Sequence, residues 1–156
     1  MQRTSTRWTS SCRNRPAGSV AQDKGDQMAH PNEDVVRESF AALGRGDVDA
    51  LQKRWTDDIR YHLPRPSPHA GDYQGIEQVR QVYARMVDQA AGPVSVELQD
   101  VLANDEHAVA LLTARSERAG KQLNDNMVVV YHFRDGKITE VRTHYGDQDA
   151  VDEFWW

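Results

Sequence analysis

Apolar residues recur with a helical period through the first half of this chain and with an alternating period through the second. From Asn32 to Leu43 the positions Val36, Phe40 and Leu43 return on one side, behind Glu33 and Asp34, which suit the positive end of a helix dipole. This predicts a first helix, ended by Gly44 and Gly46. Asp47 can cap a short second helix whose Val48, Leu51 and Trp55 share a face. Ile59–Leu63 reads as a short strand stopped by Pro64, Pro66 and Pro68, which lack the amide hydrogen a ladder needs. The segment onward to Gly75 reads as a loop carrying His69, Asp72 and Tyr73. The clearest helix follows, with Ile76, Val79, Tyr83, Met86 and Ala90 on one stripe, Glu77, Arg80, Gln81 and Arg85 opposite, and Gly92-Pro93 as its stop.

After Pro93 the period falls to two. Val94–Leu102, His107–Glu117, Gln122–Phe133 and Lys137–Tyr145 read as strands, joined by turns at Asn104-Asp105, Ala119-Gly120 and Asp135-Gly136. Connections this short make consecutive strands antiparallel. The order α-α-β-α-β-β-β-β predicts an α+β domain, one curved antiparallel sheet with helices packed on one face. In the last strand Val141, Thr143 and Tyr145 face one way and Glu140, Arg142 and His144 the other. Its partner does not alternate: Met127 to Tyr131 is continuously apolar or aromatic, the mark of a strand buried on both faces. Helices of so small a chain cover one face, so a second copy is expected on the outer face, as an isologous homodimer. The alternative is a loop or tail folded over that face. The Asp135-Gly136 turn leaves two registers open. A two-residue turn sets Val130 opposite Val141, and a three-residue loop with Gly136 as the bulge sets Val129 there.

Composition narrows the setting. The chain has 156 residues, room for one domain of ordinary size. With 38% hydrophobic and 28% charged residues it is globular rather than disordered in composition. No stretch approaches the roughly 18 apolar residues of a membrane span, and the lone Cys12 can form neither an internal disulfide nor a thiolate zinc cluster. Residues 1–27 carry five basic against two acidic side chains, whereas the remainder carries 14 against 22. We therefore expect a disordered basic tail over 1–28 and an acidic domain over 29–156, with neither nucleic acid nor an anionic membrane as partner. The tail has no apolar core of a secretory leader, which predicts a cytoplasmic protein.

Several segments carry a family resemblance. They are Gly46-Asp47 before Val48, Ala50 and Leu51; Trp55 to Asp58 leading into Tyr61-His62-Leu63-Pro64; Gly71 to Gly75; Tyr131 to Ile138; and the ending Asp147 to Trp155. In these the chain, from about Asn32 onward, resembles the nuclear-transport-factor-2-like superfamily, in its SnoaL-like branch related to ketosteroid isomerases and polyketide cyclases. The resemblance implies a cone-shaped half barrel around an apolar pocket, usually in a homodimer. It also favours the bulged register, with Met127, Val129 and Tyr131 on the concave side. It does not transfer a catalytic set. The isomerase base carboxylate matches Leu63, its tyrosine and protonated-aspartate oxyanion hole matches Ser39 and Tyr131, and the cyclase and epoxide-hydrolase aspartate matches Thr143.

Projecting the strands inward on this register predicts a pocket lined by Tyr61, Leu63, Leu111, Thr113, Arg115, Met127, Val129, Tyr131, Val141, Thr143 and Tyr145. Trp55, Tyr83 and Met86 close it from helices, giving the apolar cavity with few polar groups typical of a small-molecule site. Three residues carry the expected catalysis. Tyr131 can donate to a carbonyl or enolate oxygen. Arg115 supplies a permanent charge near the cavity or at its rim. His62 is the candidate base, provided a bulge before Pro64 turns it inward against strict alternation. His69 is expected to be exposed near the mouth, and His132 and His144 to lie on the outer face. Val151, Phe154 and Trp155 form an apolar helical face that caps the cone or packs across the dimer. No histidine pair with a third donor predicts a metal, and no glycine-rich phosphate loop predicts a cofactor. The expected function is an isomerase or cyclase for a hydrophobic oxygenated metabolite, polyketide- or terpenoid-like. The alternative is a non-catalytic pocket for a small ligand.

Overall fold

Elements form where the periodicities predicted them, and two further elements arise from pairing and packing. The computed structural model describes residues 28–65, 67–89 and 95–156. The expected tail up to Gln27, the helical position Ala90 and the Gly92-Pro93 stop lie outside the described residues. The elements in chain order are α1 (Pro31–Gly44), α2 (Val48–Gln52), β1 (Trp55–Leu63), β2 (Gly71–Gln74), α3 (Ile76–Gln89), β3 (Ser95–Ala103), β4 (His107–Arg118), β5 (Lys121–Arg134), β6 (Lys137–His144) and α4 (Gln148–Trp155). The two helices that open the domain start on polar caps. The His30 ring accepts from the Asn32 amide at 3.1 Å, and Asp47 accepts from the Ala50 amide at 3.0 Å.

Six strands form one sheet in the order β2-β1-β6-β5-β4-β3. The hairpins from β3 to β6 are antiparallel as expected, but β1 runs parallel to β6, so the sheet is mixed. Pairing with β6 also explains Trp55. It does not continue α2, because the Arg54 carbonyl accepts the Ile138 amide at 2.9 Å and draws the chain into the sheet, where Trp55 pairs with Ile138. The segment read as a loop contains β2, which pairs antiparallel with β1 from Arg60↔Gln74 to Leu63↔Gly71. Four largely polar residues show no apolar alternation of their own; they become a strand by lying against β1.

The β5–β6 register differs in detail from both sequence alternatives while giving the expected faces. Asp135 and Gly136 are both left-handed, at φ 53 and 74, forming a two-residue turn that pairs Arg134 with Lys137. A bulge follows, with Thr139 as the extra residue, and sets Tyr131 opposite Val141 and Val129 opposite Thr143. The inserted residue restores the parity that a plain two-residue hairpin would have inverted. Met127, Val129 and Tyr131 therefore do share a face with Val141 and Thr143, although Tyr131, not Val129, is the residue facing Val141.

The helices pack on the concave face: α1 on β3 and β4, α3 on β1 and β2, and α4 on β5. Ile59, Ile138, Val36, Val79 and Val141 are the fully buried pins of this layer. Burying one such side chain is worth about 2 kcal/mol. Cross-strand partners on the other face make an apolar strip: Leu102 faces Val109, Val109 faces Val130, and Leu111 faces Val128. Leu102 and Leu111 are exposed, at 59% and 38%.

The passage from β6 to α4 depends on one close approach. A Cβ on Gly146 would lie 2.2 Å from the Asn126 carbonyl oxygen, with backbone on the other side of the contact. Gly146→Ala is expected to cost about 2 kcal/mol, in the range of overpacked substitutions, and a urea unfolding curve with a lowered midpoint and unchanged slope checks this.

Candidate functional site

The inward faces of β1, β4, β5 and β6 and the apolar sides of the helices line a partly open chamber of about 160 Å³. Of the residues expected to line it, Tyr61, Met127, Val129, Tyr131, Val141, Thr143 and Tyr145 do so from strands or their ends. Trp55, Tyr83 and Met86 complete the set. Trp55 reaches the chamber from the start of β1, not from a helix.

Aromatic rings organise one wall. Tyr83 is stacked between Trp55 and Tyr61, with ring centroids 5.5 and 5.1 Å away. The Tyr61 hydroxyl lies 3.4 Å from the Thr143 hydroxyl. Phe40 of α1 meets Tyr131 edge-on at 6.5 Å. The Tyr131 hydroxyl has no hydrogen-bond partner among the described residues, which leaves a donor free in the chamber. Ser39, at the other oxyanion position, is already used: it donates to the Val35 carbonyl at 2.7 Å.

Five expected site residues lie elsewhere. Leu63 is buried in the core but does not reach the chamber. Leu111, Thr113 and Arg115 point from β4 to the opposite face. There Thr113 bonds Asn126 at 2.9 Å, and the solvated Arg115 pairs with Glu97 at 3.6 Å. The inward residues of β4 are Leu112, Ala114 and Ser116. The turn contained this information: Ala119 and Gly120, at φ 50 and 78, make a two-residue hairpin that pairs Arg118 with Lys121 and so Leu112 with Met127. Directly paired residues share a face.

His62 is the fifth. The β1 irregularity falls between Trp55 and Arg60, not before Pro64, so alternation holds at Leu63 and turns His62 outward. Its Nδ1 lies 2.6 Å from an Asp72 oxygen, and its Nε2 lies 3.6 Å from Glu140, which also accepts from Arg142. The His62 hydrogen bond, followed by its charge, holds the Asp72 carboxyl below its usual range. For Glu140 burial works upward, but the bond and charge of Arg142 outweigh it and the net direction is downward. This His62 group is built on the outer side of the sheet, away from the chamber.

His69 also differs from expectation. It is 5% exposed, sits edge-on to Trp155 at 5.1 Å, and its carbonyl accepts from the Tyr73 hydroxyl at 2.7 Å. Burial, then the nearby Arg85 charge, pushes its pKa down and favours the neutral ring. His132 and His144 lie on the outer face as expected, His132 against His107 at 4.7 Å.

One part of the site was not read from the sequence: Asp125, a carboxylate 3% exposed in the chamber wall. Inward parity from Met127 would have located it; its polarity hid it. Its oxygens accept the amides of Gly146 and Asp147 at 3.2 and 2.9 Å, fixing the start of α4. Val151, Phe154 and Trp155 line the chamber as its roof, the capping role that was one of the two expected for them. Arg118 and Lys121 donate to the Trp155 and Glu153 carbonyls at 2.9 and 2.8 Å, satisfying the helix end. The roof is thus held at both ends.

Burial holds the phenols of the chamber in their protonated form. Burial is the largest cause raising the pKa of Tyr61, Tyr83, Tyr131 and Tyr145, with Thr143 and Tyr83 partly offsetting it at Tyr61. An unfolded tyrosine ionises near pH 10, whereas these hold their protons beyond it when folded. Above pH 10 the unfolded chain therefore binds fewer protons than the folded one, and stability must fall as pH rises. In an absorbance titration the four are expected to ionise only as far-ultraviolet circular dichroism reports unfolding.

This geometry has known counterparts. A model of the SnoaL-like domain matches residues 36–141. An uncharacterised protein of Mycobacterium tuberculosis is 32% identical over 123 residues, covering 78% of this chain and 94% of that protein. A solved structure of a protein from a soil-derived mobile gene cassette superposes with a TM-score of 0.76 at 30% identity, covering 81% of this chain and 97% of that one. The epoxide hydrolase/cyclase-like enzyme SalBIII, of pyran ring formation in the polyether salinomycin, shares the fold with a TM-score of 0.62 at 22% identity, over 76% of this chain and 92% of that one. With the cone-shaped sheet, the roofed chamber and a family match spanning most of the domain, the chain belongs to the SnoaL-like domain family.

Proposed function

We propose that the chamber takes up a hydrophobic oxygenated metabolite, polyketide- or terpenoid-like, and cyclises or isomerises it by holding it folded against the Tyr131 hydroxyl. The observation that carries this reading is that unpartnered phenol, a neutral donor in an apolar enclosure. Where ring closure or enolisation builds negative charge on a substrate oxygen, a preplaced donor in a low-dielectric site stabilises the charge as it forms. A closure of this kind balances within the substrate: a substrate hydroxyl adds to an epoxide carbon as the epoxide C–O bond breaks, and the hydroxyl proton ends on the oxygen released. Positioning supplies much of the remaining acceleration, because a flexible chain held in one conformation reacts as though highly concentrated. The outward placement of His62 and Arg115 removes them from these roles and shifts the weight onto templating. A second reading, a ligand-binding protein without catalysis, is favoured by Asp125, whose oxygens are engaged by backbone amides.

With a panel of unsaturated ketones and epoxides, Tyr131→Phe is expected to lower kcat by roughly 10²-fold, the scale of losing an oxyanion donor, and to raise KM less, by about three- to tenfold, the worth of one ground-state hydrogen bond. His62→Ala is expected to leave turnover intact. Full activity of Tyr131→Phe removes the assigned role, and saturable binding without turnover of any compound selects the second reading.

The outer strip is proposed to pair with a second copy of this chain. It is apolar in both copies, and its rim carries both signs in the pairs Glu97–Arg115 and Glu140–Arg142, so a two-fold arrangement can set opposite charges against each other at the rim. Light scattering is expected to give twice the chain mass, and Leu111→Lys, which puts a charge in the strip, to give the monomer. A monomeric wild type excludes this pairing.

A further inference from the structure

Resting on the reading of the chamber as a small-molecule site, its size and charge narrow the ligand. The volume is about 160 Å³. An engineered apolar cavity of about 150 Å³ in another protein holds a single benzene, and pockets for drug-sized ligands start at roughly 300 Å³. The space cannot grow cheaply on the α4 side. Phe154 and Trp155 form that roof, and opening it would release the two amides on Asp125 and the two carbonyls bonded by Arg118 and Lys121. Trp155 is further held between the His69 ring and the Arg118 guanidinium, at 5.1 and 5.5 Å.

Charge acts in the same direction as size. Among the described residues lining the chamber, Asp125 is the carboxylate, and no lysine or arginine accompanies it. A ligand carboxylate would lose its hydration with no cation in the lining to offset the loss. At the Tyr131 end the polar group on offer is a hydroxyl donor, which calls for an acceptor oxygen. Asp125 is six residues away along β5, about 20 Å in an extended strand, too far for one small ring to touch both.

We propose that the chamber selects a neutral molecule of single-ring size bearing a carbonyl, ether or epoxide oxygen for Tyr131, and that it rejects fused multi-ring compounds and carboxylates of any size.

Four probes separate these terms: acetophenone, benzoate of similar size but anionic, ethylbenzene without an acceptor, and androstenedione with ketones on fused rings. Binding to the full chain is read by titration of intrinsic fluorescence and located by shifts of the methyl resonances of Leu112, Met127 and Val129. Acetophenone is expected to bind at least roughly tenfold more tightly than benzoate or androstenedione. Tyr131→Phe is expected to weaken acetophenone by about three- to tenfold, the worth of one hydrogen bond, and to leave ethylbenzene unchanged. Chamber binding of androstenedione or benzoate as tight as that of acetophenone overturns the size or charge selection while leaving a small-molecule site in place. Equal loss of acetophenone and ethylbenzene in Tyr131→Phe overturns the acceptor assignment. Absence of chamber shifts with all four probes overturns both this inference and the reading beneath it.

Discussion

Strand β5 pairs with β4 on one side and β6 on the other, and a strand sends successive side chains to opposite faces. Its alternation consequently decides, for three strands together, which residues see the chamber and which see the outside. Asp125, Met127, Val129 and Tyr131 point in, and Asn126, Val128, Val130 and His132 point out. The two turns flanking β5 transmit this choice. Ala119-Gly120 passes it to β4 without change, and Asp135-Gly136 passes it to β6 only because the Thr139 bulge corrects the count. A slip of one residue at either turn would move a set of polar side chains into the chamber and its apolar lining onto the surface.

From this constraint follow both the apolar lining of the chamber and the way it is roofed. The inward set is apolar or phenolic, so burial keeps the tyrosines neutral and makes them donors rather than bases. The inward carboxylate found among the described residues serves architecture: Asp125 grips the start of α4, Gly146 allows β6 to pass close to β5, and the β4–β5 hairpin holds the far end of the same helix. The titratable groups with the shape of acid–base machinery, His62 between Asp72 and Glu140, stand on the other side of the sheet. The chemistry available inside is therefore that of hydrogen-bond donation and confinement.

Much of this was legible in the chain. Strong periods gave α1, α3 and the four long strands nearly to the residue, because each buries one continuous face whatever its neighbours are. The inward faces of β5 and β6 were legible too, through the family resemblance, and so was Tyr131. The β4 face was misread although its turn encoded it, since alternating Leu111, Thr113 and Arg115 looked as plausible a lining as Leu112, Ala114 and Ser116. Small inward side chains leave room for a ligand and carry little hydrophobic signal, so composition favours the wrong set at a hollow site.

What the sequence determined by itself is the set of elements with a strong period, the antiparallel hairpins that short turns enforce, and the apolar character of the enclosed space. The tertiary structure alone decided the rest: the strand made of Gly71–Gln74, the parallel seating of β1 beside β6, the Thr139 bulge and the binding of the α4 roof to Asp125. The physical reason is common to all of them. Each is fixed by pairing or a hydrogen bond with another segment, whether the adjacent hairpin strand or one distant in the chain, and such a contact leaves no period in the sequence of either segment.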